Sequence, residues 1–173
     1  MAAKWTDFVS GAVLTAAQLN SVLDNFSDIA IFNETQAAGT NGGSSVATTW
    51  TKRVLNTTNV NNIAGCSIAS SVITLAAGTY TVEASATFFN VGYGKLKLRN
   101  TTDSTTTLIG NSNNFGGSTG TAALLVGSFT IAASKNFELQ YYVQAATATN
   151  GLGVASGGSE SEVYGILKVT RIA

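Results

Sequence analysis

A chain of 173 residues has room for one ordinary domain and an appendage. Apolar residues make up 45% and charged ones only 10%, which excludes a disordered chain and leaves neutral oxygen-bearing side chains, 24 Thr, 17 Ser and 15 Asn, to cover the surface. Nine acids balance nine bases, which argues against nucleic acid as a partner, and the lack of histidine excludes Ser-His-Asp and Cys-His catalysis and His-ligated zinc.

One cysteine, Cys66, permits no internal disulfide and no Cys-rich metal site. Between Gly65 and Ser67 it reads as a small buried residue. Met1–Trp5 leads into no long apolar core, and no apolar run reaches 18 residues, so neither a signal peptide nor membrane insertion is expected. The chain is therefore expected to fold in a reducing cytoplasm. So apolar a chain with so little charge is expected to bury surface in an obligate oligomer.

The first element in chain order is a helix within residues 1–36. Thr15 and Gln18 fit a capping box, in which hydroxyl and amide satisfy free backbone N–H groups at a helix start. Leu14 and Leu19 occupy staple positions around that cap, and Leu19, Val22, Phe26 and Ile29 continue at spacings of three, four and three. Leu23 and Ala30 widen the stripe. About two heptads are too short for an isolated helix, so this segment is expected to anchor the chain on sister copies or on a larger assembly. Residues 37–49, rich in Gly and Ser, read as a flexible linker.

From Trp50 the period becomes two, and residues 50–173 read as a β-sandwich domain. In Thr79–Phe89 one face carries Tyr80, Val82, Ala84, Ala86 and Phe88; the other carries Thr79, Thr81, Glu83, Ser85 and Thr87. Lys95–Asn100 sets Leu96 and Leu98 against Lys95, Lys97 and Arg99. Asn136–Gln144 places Phe137, Leu139, Tyr141 and Val143 on one face, and Glu162–Ile172 does so with Val163, Gly165, Leu167 and Val169. Further strands are expected near 50–56, 72–76 and 121–131. Gly, Asn and Ser turns lie between them, at Ala77-Gly78, Gly92–Gly94, Asn111–Gly120 and Asn150–Ser159. Short strands at this spacing predict an antiparallel sandwich or barrel.

The order of Thr49–Asn56, Ile73–Tyr80, Phe137–Tyr142, Ala148–Ser156 and Glu162–Tyr164 resembles a jelly-roll domain found in small structural proteins of tailed phages. That domain is similar in layout to the trimeric C1q/tumour-necrosis-factor (TNF) fold. The Gly11–Asn20 segment also looks like the head of phage tail-fibre proteins. The resemblance implies a mainly β protein, an antiparallel jelly-roll sandwich preceded by a short N-terminal helix, and a homotrimer carried on a virion after synthesis in the host cytoplasm. It implies no cofactor, and partners among the tail or capsid proteins. The leading role is a non-enzymatic short tail fibre or spike that attaches to the host surface. The alternative is a capsid decoration or cement protein; a glycan-binding or glycan-cleaving module comes third.

The candidate functional residues follow from these readings. The anchor would use Leu14, Leu19, Val22, Leu23, Phe26 and Ile29. Lys95, Lys97 and Arg99 form a basic stripe on one strand face, either solvated, or an edge strand charged against stray pairing, or able to meet anionic lipopolysaccharide among host surface glycans or an acidic neighbour. Trp50, Phe115, Tyr142 and Tyr164 are candidates for a sugar platform or for subunit contacts. Glu160 and Glu162 would share a face if both lay in a strand, and they are the pair on which a glycosidase would depend.

Overall fold

The computed structural model describes residues 28–117 and 120–172, with Gly11, Val13, Thr15 and Ala16. Twelve strands follow one another: β1 (Ile29–Gln36), β2 (Thr51–Lys52), β3 (Thr57–Asn61), β4 (Ser67–Ala69), β5 (Val72–Leu75) and β6 (Gly78–Phe89), then β7 (Tyr93–Asn100), β8 (Thr105–Ile109), β9 (Asn113–Asn114), β10 (Gly120–Ile131), β11 (Lys135–Val143) and β12 (Glu162–Arg171). They form two antiparallel sheets. The first runs β10-β6-β12-β1-β3; the second runs β4-β5-β11-β7-β8, with β2 added beside β11 and β9 beside β7.

The alternating faces meet between the sheets. Tyr80, Val82, Ala84, Ala86 and Phe88 of β6 all point inward, opposite Leu96 and Leu98 of β7 and Phe137, Leu139, Tyr141 and Val143 of β11. Each buried Val, Leu and Phe among them contributes about 1.5–3 kcal/mol of transfer free energy. Phe88 packs on Phe115 and Tyr141, at ring separations of 4.9 and 5.7 Å, and Phe129 on Phe137 at 5.1 Å. Expected turns give way to strand at Gly78, Tyr93 and Gly94, which the ladders absorb.

The N-terminal region departs from the sequence reading. Leu14, Leu19, Val22, Leu23 and Phe26 of the expected anchor lie outside the described residues. Ile29 and Ala30, assigned to the end of that helix, instead open β1, which pairs with β12 and β3. Residues 28–117 and 120–172 contain no helix. Ile29-Ala-Ile-Phe is a continuous apolar run that fits a strand as well as the helical stripe; its burial alternates once paired, and pairing with β12 satisfies the backbone that a short helix end would leave open. Residues 37–49 are not a free linker either. Their backbone N–H groups bond across the molecule, Gly42 to Gly153 O, Gly43 to Thr149 O, Ser45 to Thr147 O and Thr48 to Val143 O.

A bulge in β12 changes a second expectation. Glu34 pairs with Gly165, but Thr35 pairs with Val163, so Tyr164 is skipped. Val163, expected inside, faces solvent, and Tyr164, expected at the surface, is 3% exposed with its hydroxyl donated to Thr40 O at 2.7 Å. Gly153 makes room for it: at φ 139° a Cβ there would run into the Tyr164 ring.

Two buried acids hold this end together. Glu34 accepts from Arg53 Nε, and Arg53 Nη2 donates to Leu152 O at 2.7 Å and Tyr164 O at 3.1 Å. Glu162 accepts the N–H of Gly39 at 3.2 Å and of Ser156 at 3.1 Å, with the Ser156 hydroxyl at 3.0 Å. Replacing Glu34 by Leu, or Arg53 by Met, strands a buried charge and should each lower unfolding free energy by about 3–5 kcal/mol. The double variant should lose less than the sum, as read from a urea double-mutant cycle. The backbone N–H of Ser156, then other donors, hold the Glu162 carboxyl below its usual range. A folded pKa below the unfolded one adds stability above the ordinary carboxylate range, and this is lost as pH falls through the folded pKa. The Glu162→Gln variant should therefore unfold at lower urea than the parent at neutral pH, with the gap closing in acid.

Candidate functional site

The outward face of the second sheet carries most of the residues selected from sequence. On β7, side chains at Tyr93, Lys95, Lys97 and Arg99 alternate with the buried Leu96 and Leu98. Antiparallel register sets Lys95 beside Tyr142, Lys97 beside Gln140 and Arg99 beside Glu138. Tyr93 and Gln144 complete the row, joined by the Gln144 N–H to Tyr93 O at 2.8 Å.

Trp50 folds over this face from the segment before β2. Its ring lies 5.6 Å from that of Tyr142, tilted by 51°, and the Lys97 ammonium sits 4.1 Å from its centroid. Lys97 is consequently buried rather than solvated. Loss of water, and secondarily the charge of Arg99, lower its pKa. The expected basic stripe is thus interrupted: Lys97 holds Trp50 in place, and Lys95 and Arg99 stay partly open to solvent.

Beyond Tyr142 the surface opens into a groove of about 520 Å³. Tyr93 and Tyr142 supply its rings; Asn113 and Asn114 of β9, Gln144, Ser112 and Lys95 supply its polar groups. Asn113 and Asn114 reach it because β9 pairs with the first residues of β7, Asn114 with Tyr93 and Asn113 with Gly94. Gly92, at φ 72°, leaves space for the Gln144 side chain, whose Oε1 a Cβ would approach to 2.6 Å. The two asparagines and Gln144 were not selected from sequence. They stand in the Asn- and Ser-rich stretch 111–120 and in a strand face of ordinary polar residues, and only the fold brings them together.

Trp50 and Tyr142 therefore share this face with Lys95, Lys97 and Arg99, whereas Tyr164 and Phe115 belong to the core. Glu162 is engaged by backbone amides that favour its ionised form, which is the wrong tuning for a general acid, and Glu160 lies in an exposed bend before β12. They do not form the pair a glycosidase needs. Burial pushes the Cys66 thiol up to about 11, so it is no thiolate nucleophile near neutral pH. A second concavity, about 630 Å³, lies at the end of the first sheet between Phe89, Thr121, Val154 and Val163.

No protein-family model matches the chain, and no curated protein sequence does. Solved structures match it in fold. The globular domain of zebrafish complement 1qA aligns with TM-score 0.52 and 13% identity, over 84% of this chain and 95% of that one. Murine APRIL at pH 8.0 aligns with TM-score 0.50 and 9% identity, over 82% of this chain and 97% of that one. The PRD1 vertex protein P5 aligns with TM-score 0.49 and 14% identity, over 85% and 98%. At these identities the likeness is one of fold, and the chain is a mainly β, antiparallel sandwich with C1q/TNF-like jelly rolls as its structural neighbours.

Proposed function

We propose that this chain is a non-enzymatic structural subunit that assembles as a homotrimer on a virus particle, held by its N-terminal segment and displaying the jelly-roll head as a short tail fibre or spike. The observation that carries the assembly is the outer face of the first sheet. In register across β10, β6, β12 and β1 it presents Leu124, Ser85, Ile166 and Asn33 in one row and Val126, Glu83, Lys168 and Ile31 in the next. Leu124 is 51% and Val126 72% exposed, with Val163 and Ile166 beside them at 44% and 40%. One ion pair, Lys168 to Glu83 at 3.0 Å, is the whole charged content of those two rows. Exposed Leu124, Val126, Val163 and Ile166 on one sheet face, in a chain with so little charge, favour burial against other copies of the same chain. The tailed-phage setting rests on the sequence segments that resemble phage structural proteins.

The measurement is sedimentation of the purified chain at micromolar concentration. A trimer is expected, and Leu124→Asp or Ile166→Asp should dissociate it while circular dichroism stays that of a β-protein, since neither side chain enters the core. A stable monomer of the parent chain would sink the assembly. As a fibre, the purified trimer should also block adsorption of the phage that carries it; hundreds of copies per virion without such competition would turn the reading to capsid decoration.

A further inference from the structure

We infer that the groove on the second sheet binds an acidic saccharide. Its use in host attachment rests on the function proposed above, but its ligand chemistry does not. Two rings, Tyr93 and Tyr142, offer flat apolar surface to the C–H faces of a sugar. Three amides, Asn113, Asn114 and Gln144, combine donor and acceptor in one side chain, as hydroxyls demand. Their orientation is set in advance. Asn113 Oδ1 accepts from Asn114 N–H at 2.8 Å, Asn114 Oδ1 from Gly116 N–H at 2.8 Å, and Gln144 Oε1 from Tyr93 N–H at 3.4 Å. Each amide NH₂ is left without a partner among the described residues and available to a ligand. The volume lies in the roughly 300–1,000 Å³ range of small-molecule sites.

The charge of the ligand follows from Lys95. Lys52, Lys135 and Lys168 are each paired with a carboxylate, and Lys97 is spent on Trp50. Lys95 has no ion pair or side-chain hydrogen bond among the described residues, and no carboxylate lines the groove with it. Glu138, the acid on this strand face, is bound to Gln140 at 2.7 Å and lies near Lys52 at 3.8 Å. A carboxylate or phosphate on the sugar would supply the missing partner.

The experiment is calorimetric titration of the full chain with trigalacturonic acid, its methyl ester and mannose 6-phosphate. Saturable binding of at least one acid is expected, with the ester weaker than the free trisaccharide. The two acids tell a carboxylate source from a phosphate source. Tyr142→Ala and Tyr93→Ala should each weaken binding by about tenfold, as for loss of one ring contact, and Lys95→Gln should reduce the acid to the affinity of the ester while leaving the ester unchanged. The inference is overturned if neither acid saturates by about 10 mM, if trigalacturonic acid binds and its ester binds as tightly, or if neither tyrosine variant weakens binding of the acid that saturates. Dissociation of the trimer by Tyr93→Ala would also overturn it, because the face would then be a subunit contact. Loss of sugar binding from an intact trimer refutes the groove alone; a monomeric parent that binds the acid refutes the assembly alone.

Discussion

Arg53 and Glu34 set the geometry on which the rest of the sandwich depends. Neither side chain is more than 1% exposed, and a buried ion pair recovers its desolvation cost only with good geometry and further hydrogen bonds. Burial raises the Glu34 pKa and lowers that of Arg53, each against the pull of its partner. The guanidinium compensates by a fork of contacts, to the carboxylate on β1, to Leu152 O in the loop before β12, to Tyr164 O on β12, and to the Phe88 ring 5.3 Å away. Strand, loop and core must all be in place before any of these contacts repays the charge. The pair therefore selects one arrangement of this end more than it adds stability.

The bulge follows from that constraint. Arg53 needs the carbonyl of Tyr164 turned toward it, and skipping Tyr164 in the pairing of β1 with β12 allows this. The same step carries the Tyr164 ring inward against Gly153 and turns Val163 out beside Ile166. One irregularity thus fills the core at the loop end and extends the apolar area of the outer face. Glu162, next in the strand, gathers the amides of Gly39, Ser156 and Gly157 around its carboxylate, which ties the loop after β1 to the loop before β12.

The parts of this fold legible in the sequence are those where one face of a strand is buried and the other wet. β6 alternates throughout, and β7 and β11 do so except at Lys97 and Gln140, buried on the outer face, because both edges of each strand are paired and one face of each meets the core. β3, Thr57-Thr-Asn-Val-Asn, is an edge strand with little inward surface, and its polar sequence carries no alternation to read. β1 was masked differently: a stripe of helical spacing runs into it, and only pairing with β12 decides for strand. Around the groove, Trp50, Lys95 and Tyr142 could be selected as residue types. Asn113, Asn114 and Gln144 could not, since asparagine and glutamine in a chain so rich in polar residues distinguish nothing until a ladder brings them together. The Glu34–Arg53 pair was equally hidden, because 19 residues separate two charges that look like surface groups.

The two sheets present opposite surfaces, and this determines how the proposed roles combine. The apolar rows of Leu124 and Ile166 lie on the outer face of the first sheet, and the groove with Lys95 lies on the outer face of the second, with the whole core between them. Copies packed through the first sheet leave the second facing solvent, so one subunit can hold its neighbours and a ligand at once. A groove of two rings and one cation has weak affinity for a single sugar, since each polar contact replaces one made with water. In the proposed trimer three such grooves would act at high effective concentration on a repeating polysaccharide, and avidity would multiply weak contacts without any new one. A chain with only 10% charged residues suits that arrangement. With few charges to attract polyanions at random, the unpaired Lys95 puts a cation in the groove itself, where rings and amides can test the rest of the ligand.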